Sequence, residues 1–291
     1  MPKEEKILKN IEKLGYKYIK VHLSYLDKDK LETDWWEAMK FFFSRSFARG
    51  RRDKLSNEYK TFAVSTIENF FNINEDSIEE SHRMFNKYSG YFDKQYIVNF
   101  KENSKFRNCI KDPNFEKEVA SKNDFIKMLV TEKKIKIEWD GKSSAKNKCL
   151  NFDLDLMMVL DVLKYASKNE VTVYSYLNNL IAKKGTRVAY DELVQISGIH
   201  DKIASFILRD IGLLNPGLIN GEFEYAFPID TWVNQVSHKL GCTGKIQDVK
   251  CCLIRSCQEY KINPLHFAAG LWCLGANSFD LLMKHFGEIE I

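Results

Sequence analysis

Only five prolines and fourteen glycines are spread over 291 residues. Little in such a chain interrupts a helix, so a mainly α-helical fold is expected. Residues 35–47 place Trp35, Trp36, Met39, Phe41, Phe42, Phe43 and Phe47 on most faces of a helix, the pattern of a helix buried all round. Further helices are predicted over 55–71, 74–88, 154–167, 174–184 and 190–196. Residues 135–139 alternate like a short strand, and 141–148 read as a polar, basic loop. There is no internal repeat and no clean linker. The expectation is one unit over 1–291 with two approximate lobes. One spans 30–185, with a divergent stretch near 80–150; the other spans 186–291 and takes in the N-terminal segment.

Composition narrows the classes of function. Hydrophobic residues make up 44% and charged residues 29%, enough apolar material for a buried core and too much for a disordered chain. A net charge of +4 permits nucleic acid as a partner, although binding depends on a local basic face. The seven cysteines are odd in number and form no Cys-x-x-Cys. That argues against a disulfide framework and a closed zinc site and for reduced, buried thiols. No run of ~18 apolar residues is present to span a bilayer, and the charged opening Met1-Pro2-Lys3-Glu4-Glu5-Lys6 is unlike a signal peptide. A cytoplasmic, nucleoid-associated protein acting as a monomer away from membranes is expected.

Two short segments carry chemistry. The first is Gln195-Ile196-Ser197-Gly198-Ile199-His200-Asp201-Lys202-Ile203-Ala204, read as a helix end, a tight turn and a new helix with Lys202 in its first turn. Gly198 suits the left-handed conformation that ends a helix. The amides opening the next helix, with the positive end of its dipole, suit a phosphate. An exposed lysine titrates near ~10.4. Placement at a helix start beside Ile203 and Phe206 is expected to lower that value and free the amine as a nucleophile. The second segment is Phe227-Pro228-Ile229-Asp230-Thr231-Trp232-Val233, read as a strand-like approach and a helix with Asp230 at its cap. A carboxylate there also suits stabilisation of a developing positive charge.

Together these segments resemble the active-site region of the helix-hairpin-helix DNA glycosylases, in which a lysine after the hairpin and an aspartate after a Pro-aliphatic pair act on one flipped nucleotide. The segment Ile262-Asn263-Pro264-Leu265-His266-Phe267-Ala268-Ala269-Gly270-Leu271-Trp272 is similar to the C-terminal helix of the archaeal 8-oxoguanine (GO) glycosylases. The resemblance is local, covering about 190–240 and 260–275. It implies a two-lobed helical glycosylase fold with the hairpin between the lobes. It also implies a base-excision enzyme, a bifunctional DNA glycosylase and AP lyase, that takes double-stranded DNA containing a damaged base and needs no cofactor or metal.

In this resemblance Lys202 and Asp230 are catalytic, Phe206 and Trp272 sandwich the extruded base, and Gly198 and His200 contact DNA. Arg49, Arg51 and Arg52 lie where those enzymes place a loop that fills the gap left by the flipped nucleotide. Two departures stand out: the second hairpin glycine is His200, and an acidic residue that reads the purine edge is Ala268. An oxidised purine, 8-oxoguanine first, is the expected substrate. Alkylated or mismatched bases, and a non-catalytic DNA-binding protein, are the alternatives.

Overall fold

A computed structural model of the chain describes residues 3–48, 53–74, 78–92, 117, 123–130, 133–139, 142–148 and 155–286. Among these residues the architecture is mainly helical. The helices are α1 (Lys3–His22), α2 (Lys28–Thr33), α3 (Trp35–Ser46), α4 (Asp53–Phe71), α5 (Ile78–Lys87) and α6 (Asp124–Val130). After an antiparallel ribbon, β1 (Lys133–Trp139) and β2 (Lys142–Lys148), come α7 (Met157–Ser167), α8 (Val173–Lys184), α9 (Thr186–Leu193), α10 (Asp201–Leu214), α11 (Thr231–Lys239), α12 (Ile246–Glu259) and α13 (Pro264–Phe286). No helix among the described residues is long and apolar enough to cross a membrane.

Three local readings need correction. The stretch 142–148, expected as a loop, is strand β2, paired from Lys142 with Trp139 to Lys148 with Lys133. Its polar composition, without an alternating apolar face, hides it. The helix expected over 190–196 begins earlier, after Gly185 at φ +93°, and ends at Leu193. The strand-like approach read at Phe227 is not a strand: residues 223–226 form a 3₁₀ turn, and 227–230 carry no regular structure. Glu222 starts that turn in the left-handed region, and its carboxylate accepts the Arg187 N–H at 3.0 Å, tying the turn to the opening of α9.

The chain forms two compact units. One comprises residues 29–176 and 195–199. Its core contains the buried aromatic face of α3, as the sequence pattern requires, and a second cluster of Phe71, Phe85, Phe92 and Phe125. Asp34 caps α3 by accepting the N–H groups of Trp36 and Glu37. The Trp36 indole donates to Glu68 at 2.9 Å, so a buried ring keeps its polar edge satisfied.

The other unit comprises residues 1–28, 177–194 and 200–291. Its apolar core draws on Leu8, Ile11, Phe227, Val233, Leu253, Phe267 and Leu271. Here α1 and α13 pack closely at two glycines. A Cβ on Gly15 would strike the His266 carbonyl, and one on Gly270 the Ile11 carbonyl. Backbone cannot yield as a side chain does, so Gly270→Ala is expected to destabilise the protein by ~1–3 kcal/mol through overpacking. Chemical denaturation of wild type and variant measures this, and equal midpoints would contradict the close crossing.

The thiols also differ from expectation. Cys242 and Cys252 form a disulfide, with Cα atoms 5.7 Å apart. The short connection between α11 and α12 brings the two within bonding reach, a pairing that a spacing of ten residues does not advertise. Cys257 and Cys273 are free and buried, and Cys251 is free and exposed.

Candidate active site

Lys202 is the second residue of α10, which starts after His200 as its N-cap residue. Two turns of chain precede it. Gly198 has φ +74°, the left-handed conformation that makes glycine the natural residue there. Ile199 donates its N–H to the Ile196 carbonyl at 2.9 Å, and both side chains are buried. Ser197 N–H donates to Asp161 at 2.9 Å. The turn is therefore anchored by its apolar residues and one carboxylate. His200 sits at φ −110°, ψ −177°, extended backbone open to any residue. A glycine is not needed there, and the histidine brings no backbone strain. Its ring is exposed and makes no capping bond.

The first turn of α10 is fixed by an unusual cation. Lys250, on α12, is 2% exposed, and its Nζ donates to Asp201 at 2.7 Å. The Tyr190 hydroxyl donates to the same carboxylate oxygen at 3.0 Å. Burial and the adjacent Asp201 charge push the Tyr190 phenol well above its ordinary range. The residue before Lys202 is thus clamped from α9 and α12.

Asp230 is the N-cap of α11, accepting the Val233 N–H at 2.8 Å. It stands just after the 3₁₀ turn, which packs against α10. One carboxylate oxygen is committed to the cap.

The expected stacking residues join one cluster. Phe206 is partly exposed, and the Arg209 guanidinium lies 4.5 Å from its ring centroid. The same guanidinium lies 4.5 Å from the Tyr18 ring. Tyr18 in turn meets Trp272 at 5.7 Å with the rings nearly perpendicular, and His22 meets Trp272 at 5.5 Å in the same manner. Phe206 on α10 and Trp272 on α13 are therefore linked through Tyr18 of α1 and Arg209. Arg209 is wholly buried and paired with Asp210, its Nε and Nη2 donating to one oxygen at 3.0 and 2.9 Å. The Tyr18 hydroxyl donates to Asp210 at 2.9 Å.

The sequence reading missed Tyr18, His22, Arg209 and Asp210. One signal was available: Arg209-Asp210 interrupts Ile207-Leu208 and Ile211, and two charges inside an apolar helix face must pair or serve a site. Ala268 is wholly buried within the apolar core. Aspartate placed there enters that core, so it is expected to destabilise the protein rather than read a base.

His266 opens α13 stacked on Tyr16 at 4.4 Å. Burial holds its imidazole below the ordinary range, against the opposing pull of Glu12. Among the described residues no three His, Cys, Asp or Glu side chains converge as metal ligands would. Arg49, Arg51 and Arg52 lie outside the described residues. Comparison of the chain with protein-family models, with curated proteins and with solved structures finds no match.

Proposed function

We propose that this protein is a bifunctional DNA glycosylase and AP lyase that removes an oxidised purine, 8-oxoguanine first, from duplex DNA. The observation that carries the reading is the gathering of Phe206 and Trp272 around Tyr18 and Arg209 in the unit that also holds Lys202 and Asp230. A lysine in the first turn of a helix, a carboxylate and part-exposed aromatic rings are the groups this chemistry requires. The finer arrangement, a two-lobed glycosylase fold with a helix-hairpin-helix element between the lobes, belongs to the same proposal.

In this mechanism the hairpin residues Gly198 and His200, with the first amides of α10, meet a phosphate. The damaged nucleotide leaves the duplex and its base stacks on Phe206 and Trp272. The neutral Lys202 amine attacks C1′ as the C1′–N9 bond breaks, and the base departs with that electron pair and takes up a proton. Asp230 stabilises the positive charge that builds on the sugar. Ring opening yields a Schiff base. Loss of a C2′ proton and cleavage of the C3′–O bond then release the 3′ phosphate, and water frees the lysine. These steps need no metal or diffusible cofactor. The protein would act as a monomer on cytoplasmic, nucleoid DNA.

Borohydride trapping on duplex DNA carrying an abasic site tests the reading, since only an amine nucleophile leaves a reduced covalent adduct. Absence of an adduct with tight DNA binding would instead mark a non-catalytic DNA-binding protein. Base–aromatic stacking is worth ~1–3 kcal/mol per base by alanine substitution. Trp272→Ala should therefore weaken binding to an 8-oxoguanine duplex by roughly that amount, and binding to undamaged duplex far less. Equal losses on both duplexes would assign Trp272 to packing alone.

A further inference from the structure

Two polar atoms on one face of α10 stand out. Arg209 Nη1 and Ser205 Oγ are buried and, among the described residues, have no hydrogen-bond partner. A buried unsatisfied donor costs ~1–3 kcal/mol, so two such groups close together on one element call for an explanation. Positions 202, 205, 206 and 209 follow i, i+3, i+4, i+7 and share a helix face. The orphaned groups therefore share their stripe with Lys202 and Phe206.

The Arg209 guanidinium is held rigidly. Rings stand 4.5 Å from it on Phe206 and Tyr18, and Nε and Nη2 are taken up by Asp210. Asp210 is itself held by Tyr18. What remains is Nη1, oriented in advance and lacking an acceptor. The charge balance selects the acceptor. Asp210 already neutralises Arg209, so a second anion would enter a dry site in excess. A neutral carbonyl oxygen would not. We infer that Arg209, assisted by Ser205, is the specificity-determining residue of this site and donates to an oxo group on the extruded base.

This inference rests on the glycosylase reading and sharpens its substrate class. An oxidised or oxo-bearing purine supplies the acceptor, whereas an alkylated adenine without an oxo group leaves both donors unpaired. It also places base reading on α10 rather than at Ala268, which is buried in the core.

Single-turnover excision from duplexes carrying 8-oxoguanine or 1,N6-ethenoadenine tests it, with borohydride trapping on an abasic duplex in parallel. The wild-type protein should trap, and should excise 8-oxoguanine at least tenfold faster than 1,N6-ethenoadenine. Arg209→Met should lower 8-oxoguanine excision ~10- to 100-fold more than it lowers trapping, the size of one charge-assisted hydrogen bond. Should that variant fail to fold, because buried Asp210 loses the cation paired with it, Ser205→Ala provides the milder version, with an expected loss of ~3- to 10-fold relative to trapping. Preference for ethenoadenine in the wild type overturns the inference, as does excision that tracks trapping in whichever variants fold. Either result leaves the glycosylase reading standing. A wild-type protein that neither traps nor excises overturns both.

Discussion

Lys202→Gln should reduce borohydride trapping on abasic duplex DNA to background while DNA affinity changes little. The substitution keeps most of the side chain's length and its polarity but removes the amine lone pair, without which no Schiff base forms. Its structural cost should be small. Lys202 is partly exposed in the first turn of α10, and both lysine and glutamine are good helix formers. Asp201 beside it is held by Lys250 and Tyr190. Trapping and fluorescence-anisotropy binding on the same duplex separate chemistry from affinity. A variant that still traps at the wild-type level would move the nucleophile elsewhere, with Lys250 an unpromising substitute because it is buried and paired. Trapping lost together with all binding would point to a phosphate contact instead.

The local part of this site was legible because its signals are local. Gly198 followed by a helix start is a backbone requirement, and the left-handed φ at that residue meets it. Asp230 after Pro228-Ile229 is a cap signal, and the cap is made. The α3 helix was legible because apolar residues on nearly every face have no other stable place. What stayed hidden depends on partners far along the chain. Tyr18 reaches Asp210 across a sequence separation of 192, so no window around Phe206 or Trp272 contains the residue that joins them. The same holds for the Cys242–Cys252 bond and the Lys250–Asp201 clamp, which arise from helix packing rather than from spacing. The ribbon was missed for a different reason. A strand read from side-chain alternation needs a buried face, whereas Lys142–Lys148 is polar and specified by backbone pairing with β1.

Asp230→Asn should slow base removal by ~10²-fold or more, with only a small change in stability. The two roles open to this residue separate cleanly under this substitution. Asparagine caps a helix about as well as aspartate, so the bond to the Val233 N–H can persist and α11 should stay in place. The negative charge is what disappears. A preorganised charge facing developing positive charge in a site shielded from water is worth several kcal/mol, and each 1.36 kcal/mol is a factor of ten in rate. Incision at a preformed abasic site should suffer less, because the base has already left and no such charge has to develop there. Asp230→Ala completes the comparison. It removes charge and cap together, and should add ~0.5–2 kcal/mol of destabilisation to the same loss of base removal. Single-turnover kinetics on 8-oxoguanine and abasic duplexes, beside thermal melts of the three proteins, give the full pattern. Wild-type excision by Asp230→Asn, with Asp230→Ala impaired only in melting temperature, would reduce Asp230 to a helix cap and remove it from the chemistry.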